Sequence, residues 1–207
     1  MKRELIISGE AKVLVWELTE SVDTLYDQLN LTESDNAAFN NIVSVKRKLE
    51  FLGIRVALQA LVGKNTRIEY DAEGKPHLSD KSYQISVSHS NKWIAVITHP
   101  TAMVGIDIEC PTDKIQKIYK RFMSFTEQQE LSEGSDIRQL LLAWSAKEAL
   151  YKIIGKEAID FATQLRIYPF VVNASGEMKA QHIPTKSFYK LLYQQSDEYT
   201  LVYCQAK

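Results

Sequence analysis

The sequence predicts an α+β fold of two similar halves packed as a pseudo-dimer, each with helices against a small, mainly antiparallel sheet. Two observations support this prediction. A long helical stretch followed by short strand-like segments occurs twice along the 207 residues. A shift of 92 positions also aligns Arg55–Lys64 with Lys147–Lys156, with four identities in ten positions. The residues alone leave two explanations open, an internal duplication or a chance match between two helices.

Composition narrows the class of protein. The chain is 45% hydrophobic, so it can bury a sizeable core. Its 25 Lys and Arg against 26 Asp and Glu leave a net charge of −1, which disfavours nucleic acid as a partner. The sequence contains no run of about 18 apolar residues, the length needed to span a membrane, and no signal peptide is visible. Two cysteines are too few for a disulfide framework. We therefore expect a cytoplasmic protein. Because the two halves are predicted to be similar, we also expect a monomer with an internal pseudo-twofold axis.

The first half, residues 1–102, is expected to carry most of its helix between Thr32 and Val62, as one or two helices. Gly63 follows as a predicted C-terminal cap. Short strands are predicted next, at residues 67–70, 83–88, 93–98 and 103–109. The segment 99–101 is interpreted as a hairpin connection between the last two of these strands.

The second half, residues 103–207, repeats this order. Helices are predicted at residues 113–122, about 126–131 and about 136–154, and Gly155 follows as a cap. Strand-like segments follow at residues 164–170, 186–193 and 199–204. No dinucleotide or phosphate-binding glycine loop is present among the eight glycines, and the four histidines lack zinc-site spacing.

The segment Val104–Glu109 carries the first chemical signal. Alternation along a strand puts Asp107 and Glu109 on one face, with Gly105 expected to leave open space beside them. Neighbouring carboxylates repel unless water solvates them or a cation binds between them. Oxygen ligands without His or Cys nearby favour Mg²⁺. The alternative is an ordinary solvated strand face.

A second signal lies in Leu140–Ile154, which is apolar almost all round and so predicts a helix buried on several sides. Glu148 and Lys152 are one turn apart on the face that also carries Trp144. They form a surface ion pair in one interpretation. In the other, they line a cleft, where Glu148 adds a third metal-binding carboxylate and Lys152 faces phosphates.

Two weaker signals are the turn Gly74–Pro76, which holds Lys75, and the strand Ile85–Ser90, which ends near His89. Taken together, the segments resemble the 4′-phosphopantetheinyl transferases, and the chain length is similar to that of the long, pseudo-dimeric type that activates surfactin synthetase. The matching segments are Gly74–Pro76, Ser88–His89, Gly105–Glu109, Arg121–Ser124 with Glu127, and Trp144–Lys152.

This resemblance implies transfer of the phosphopantetheine arm of coenzyme A to a serine of an apo acyl or peptidyl carrier protein, which releases adenosine 3′,5′-bisphosphate. It implies Mg²⁺ ligands at Asp107, Glu109 and Glu148. The implied coenzyme A contacts are Lys75, Pro76, Ser88, His89 and Lys152, with Arg47 or Lys48 near the 3′-phosphate. The implied catalytic residues are Glu148, Lys152 and His89, with Glu148 as the base, directly or through a metal-bound water.

The helix around residues 114–122 is predicted to be amphipathic. Lys114, Lys117 and Arg121 fall on one face, which could dock an acidic carrier protein or could simply be solvated. Two other functions remain open at this point. One is a non-catalytic coenzyme A-binding module, and the other is a Mg²⁺-dependent phosphodiester hydrolase.

Overall fold

A computed structural model describes residues 3–63, 67–131, 136–155 and 158–206. The chain divides into two compact units, Met1–Thr101 and Ala102–Lys207, called here the first and second units. Within the described residues, none of the helices combines the length and the apolar character needed to cross a membrane.

The first unit is built on an antiparallel four-stranded sheet of order β1-β2-β6-β5, with β3 and β4 paired separately. Its elements are β1 (Arg3–Ser8), β2 (Ala11–Glu17), α1 (Val22–Tyr26), α2 (Glu33–Asn40), α3 (Val45–Val62), β3 (Ile68–Tyr70), β4 (Pro76–Leu78), β5 (Gln84–Ser90) and β6 (Trp93–His99). The helical stretch predicted after Thr32 is therefore two helices. Helix α3 buries Leu52 and Leu58 in a core that also contains Trp16 and Ile94 of the sheet.

The second unit is built on an antiparallel five-stranded sheet of order β7-β11-β10-β9-β8. Its elements are β7 (Val104–Glu109), α4 (Ile115–Phe122), α5 (Phe125–Glu130), α6 (Ile137–Ile154), α7 (Phe161–Gln164), β8 (Leu165–Ile167), β9 (Ser175–His182), β10 (Ser187–Gln195) and β11 (Thr200–Gln205). Helix α6 is buried on several sides, as its apolar sequence predicts, and Leu140, Leu142, Ala146 and Leu150 are fully buried.

The two units repeat one local topology. Helices α3 and α6 begin and end at positions that differ by 92, the shift predicted from the sequence. Each ends at a glycine in the left-handed conformation, Gly63 or Gly155, which confirms both predicted caps. In each unit a strand precedes this helix, and two later strands complete an antiparallel set, β2-β6-β5 or β7-β11-β10.

The same shift relates a set of polar residues. In each unit a capping hydroxyl, a carboxylate and a buried cation are spaced alike. These are Thr32, Asp35 and Arg55 in the first unit and Ser124, Glu127 and Lys147 in the second. The cation-to-carboxylate distances are also alike, 2.7 Å and 2.8 Å. A helix-biased chance match does not predict this coincidence, so it favours an internal duplication.

The predicted hairpin through residues 99–101 is wrong. Strand β6 pairs with β2 and β5, whereas β7 pairs with β11 in the other sheet. The chain passes from one compact unit to the next at residues 101 and 102, so the short connection joins two sheets. Strands β1, β2, β4 and β9 were not predicted. Local pattern could not assign a partner to any of them.

Candidate active site

The acidic strand β7 lies directly against helix α6. The predicted alternation is confirmed, because Gly105, Asp107 and Glu109 face this helix. The space expected beside Gly105 is not open, however. A Cβ atom at Gly105 would overlap the carbonyl oxygen of Ala149, so glycine is needed here for the close approach of strand and helix.

Two side chains of α6 hold the strand carboxylates. Lys152 Nζ donates to Asp107 Oδ1 at 2.9 Å and to the carbonyl oxygen of Ile106 at 2.8 Å. Trp144 Nε1 donates to Glu109 Oε1 at 3.2 Å. Asp107 is buried and Lys152 is partly exposed. The lysine that the sequence places one turn after Glu148 therefore reaches across to the strand.

The carboxyl group of Glu148 has a raised pKa. Burial raises its pKa, Asp107 and Glu109 raise it further by repulsion, and Lys152 opposes them, with a result of about 7. Glu148 is therefore within electrostatic reach of both strand carboxylates. A carboxyl group whose pKa lies near neutral pH can accept and release a proton under working conditions.

The side chains of the three predicted metal ligands are not arranged around one common point in this structure. Among the described residues, no group of three or more Asp, Glu, His or Cys side chains is arranged to hold a metal ion. Lys152 binds Asp107, and Trp144 binds Glu109. The donor chemistry nevertheless fits Mg²⁺, because three carboxylates with one lysine leave negative charge and only hard oxygen ligands.

Helix α6 is anchored from inside by Lys147, next to Glu148. This side chain is fully buried. Its ammonium group donates to the Glu127 carboxylate at 2.8 Å and to three backbone carbonyls, those of Phe122, Phe161 and Leu165. Burial lowers the pKa of Lys147, and Glu127 opposes that change. These contacts fix the rotation of α6 and hence the direction in which Glu148 points.

In the first unit, the structure brings Arg47 and His89 together around Glu50. Arg47 Nη1 lies 2.8 Å from Glu50 Oε2 and 3.1 Å from His89 Nε2. His89 Nδ1 lies 3.4 Å from Glu50 Oε1. Lys48, the other candidate for the 3′-phosphate, instead places its ammonium group 4.9 Å from the ring centre of Phe39.

The other three predicted coenzyme A contacts also lie in the first unit. Lys75 follows Gly74 in a turn closed by the Asp71 carboxylate, which accepts from the Lys75 backbone N–H at 2.7 Å. Partial burial lowers the pKa of the Lys75 side chain, and Asp71 opposes this. Pro76 begins β4, and Ser88 is buried in β5 beside His89.

The predicted amphipathic helix α4 is confirmed. Ile115 and Phe122 are buried, while Lys114, Lys117 and Arg121 are exposed. Phe125, just after this helix, is 73% exposed.

Sequence reasoning missed Glu50 and the roles of Glu127 and Lys147. A signal for Glu50 was available, because an acidic residue three and four positions after Arg47 and Lys46 lies on their helix face. The partners of Lys147 come from distant segments, so spacing along the helix could not reveal them.

Comparison with known proteins assigns one family. Residues 103–204 match the family model of the 4′-phosphopantetheinyl transferase superfamily, so this part of the chain is a domain of that superfamily. No curated protein matches the chain.

Proposed function

We propose that this protein, whose residues 103–204 form a domain of the 4′-phosphopantetheinyl transferase superfamily, transfers phosphopantetheine from coenzyme A to a serine of an apo carrier protein. One observation carries the proposal. A carboxyl group with a pKa of about 7, that of Glu148, lies within electrostatic reach of two strand carboxylates and a lysine. This combination suits proton transfer beside a charged phosphate group.

In the proposed reaction, the serine oxygen of the carrier attacks the phosphorus that bears the pantetheine arm. The new serine–phosphorus bond forms as the bond to the bridging oxygen breaks, and adenosine 3′,5′-bisphosphate leaves. Glu148 accepts the proton of the serine hydroxyl. Lys152, whose ammonium group is partly exposed, faces the phosphates and offsets their charge.

Asp107, Glu109 and Glu148 would hold Mg²⁺, which would supply neutralising charge at the diphosphate when bound. His89, Lys75 and Arg47 are the proposed phosphate contacts of the first unit, and the close approach of Arg47 to His89 favours Arg47 over Lys48. Ser88 and Pro76 complete the proposed coenzyme A contacts.

The decisive experiment is mass spectrometry of an apo carrier protein incubated with coenzyme A, Mg²⁺ and this protein. We expect a mass gain of one phosphopantetheine on a single serine, with no gain when Mg²⁺ is chelated. Glu148→Gln should lose the activity, and Glu177→Gln, at an exposed pair with Lys190, should keep it. If the protein binds coenzyme A without transfer, the result supports a non-catalytic binding module. If it cleaves coenzyme A without modifying the carrier, the result supports a hydrolase.

The exposed face of α4 is the proposed docking site for an acidic carrier protein. Reversal of Lys117 and Arg121 to Glu should raise the KM for the carrier at least about tenfold and leave the KM for coenzyme A unchanged. Lys190→Glu, at an exposed lysine of β10, is the control for added negative charge. Equal effects on both KM values would reject this docking face.

A further inference from the structure

Glu50 is a buried carboxylate of α3 to which neither the sequence nor the family match assigns a role. It is only 4% exposed. The basic side chains around it reach the surface, because 62% of the Arg47 side chain, 59% of the Lys46 side chain and 35% of the His89 side chain are exposed. The buried carboxylate of Glu50 thus lies within ion-pair distance of three basic side chains that reach the solvent.

From this arrangement we infer that Glu50 is a positioning residue, which orients His89 and Arg47 so that both present nitrogen atoms to one phosphate group of coenzyme A. This inference rests on the proposed function. Glu50 itself does not contact the phosphate in this role, because its carboxylate is buried behind the two side chains that do.

The geometry defines what Glu50 does to each partner. Its Oε1 lies on the Nδ1 side of His89, at 3.4 Å, and its Oε2 accepts from Arg47 Nη1 at 2.8 Å. At this distance the contact is an ion-pair approach and not a hydrogen bond, and the negative charge of Glu50 favours a proton on Nδ1. His89 Nε2 faces Arg47 Nη1, 3.1 Å away, so one phosphate could contact both groups. For this, His89 must be the imidazolium, which carries a proton on both nitrogens, and the neighbouring Glu50 carboxylate stabilises that cation.

Helix stabilisation alone does not account for this carboxylate. Glu50 lies beyond the first turn of α3, which Ser44 caps, so the helix dipole contributes little there. Burial of a carboxylate is also costly unless basic partners compensate it. Because binding groups held in place before the ligand arrives lose less entropy on binding, a role in pre-organisation explains the arrangement.

The test compares Glu50→Gln with Glu69→Gln. Glu69 also lies near a histidine and an arginine of the first unit, His77 and Arg67, but 42% of its side chain is exposed. Calorimetry should show coenzyme A binding weakened about 10- to 100-fold in Glu50→Gln and unchanged in Glu69→Gln. The KM for coenzyme A should rise, while the KM for the carrier stays constant.

A double-mutant cycle separates positioning from simple loss of stability. If Glu50 acts through His89, then Glu50→Gln should cost much less affinity in a His89→Gln background than in the wild type. Additive losses, unchanged affinity or tighter binding in Glu50→Gln would each overturn the inference. If Glu50→Gln does not fold, Glu50→Asp replaces it in the cycle, since the shorter side chain retains the charge but not the reach.

The result is separable from the proposed function. If the wild type modifies no carrier, the proposed function fails. Calorimetry can still measure how Glu50→Gln changes the affinity for coenzyme A. If the wild type is active and the cycle is additive, only the inference fails.

Discussion

Removal of the Glu148 charge should stabilise the protein at alkaline pH although it abolishes transfer. The folded state raises the pKa of Glu148 from 4.5 to about 7, so folding favours its protonated form. The wild type should therefore lose stability relative to Glu148→Gln as pH rises from about 4.5 to about 7, and the difference should level off above this range.

The size of this stability difference follows from the shift in the pKa of Glu148. A change from 4.5 to about 7 corresponds to about 3 kcal/mol when the group is fully ionised. Because Glu148 is partly exposed, solvent screening reduces this figure, and we expect a gain of about 2 kcal/mol between pH 5 and pH 8.5.

Urea denaturation of both proteins at the two pH values, with a chelator present, measures this difference. The chelator is required because a bound divalent cation would stabilise the wild type and mask the repulsion. Glu177→Gln serves as the control, since it removes an exposed pair with Lys190 and should change stability by less than about 1 kcal/mol at either pH. A Glu148→Gln effect that is equal at pH 5 and pH 8.5 would refute the electrostatic reasoning.

Three further changes test how α6 and its sheet are held. Gly105→Ala should lower the melting temperature and the transfer rate together, because its Cβ would overlap the backbone of α6, and normal activity would contradict this packing. Glu127→Gln should cost about 3 to 5 kcal/mol in urea denaturation, because it leaves the Lys147 ammonium buried without its anion. Addition of Lys147→Met should cost less than the sum of the single changes, and additivity would count against the pair. Tyr193→Phe removes two part-buried hydrogen bonds, one donated to the carbonyl of Val171 and one accepted from the Asn173 N–H, so it should cost about 1 kcal/mol, and no change would show that these bonds add nothing.

Local patterns predicted much of the fold. Alternation along a strand placed Gly105, Asp107 and Glu109 on one face, and the terminal glycines marked the ends of α3 and α6. The shift of 92 positions also anticipated that the two long helices correspond. The strand alternation and the helix ends depend on residues only a few positions apart. The packing of the two units as a pseudo-dimer stays a prediction.

Contacts between distant segments were beyond such patterns. Helical spacing paired Lys152 with Glu148, but the ammonium group binds Asp107, because close packing at Gly105 brings β7 against α6. Strand pairing was equally inaccessible, since β7 could have joined its neighbour in sequence and instead joins β11.

The amino-acid sequence by itself determined which side chains share a face and where helices end, because backbone geometry repeats over two to four residues. Only the tertiary structure decided which charges are buried and which group neutralises each of them. The pKa of Glu148 and the contacts of Glu50 depend on segments brought together by folding, and no spacing along the chain encodes those distances.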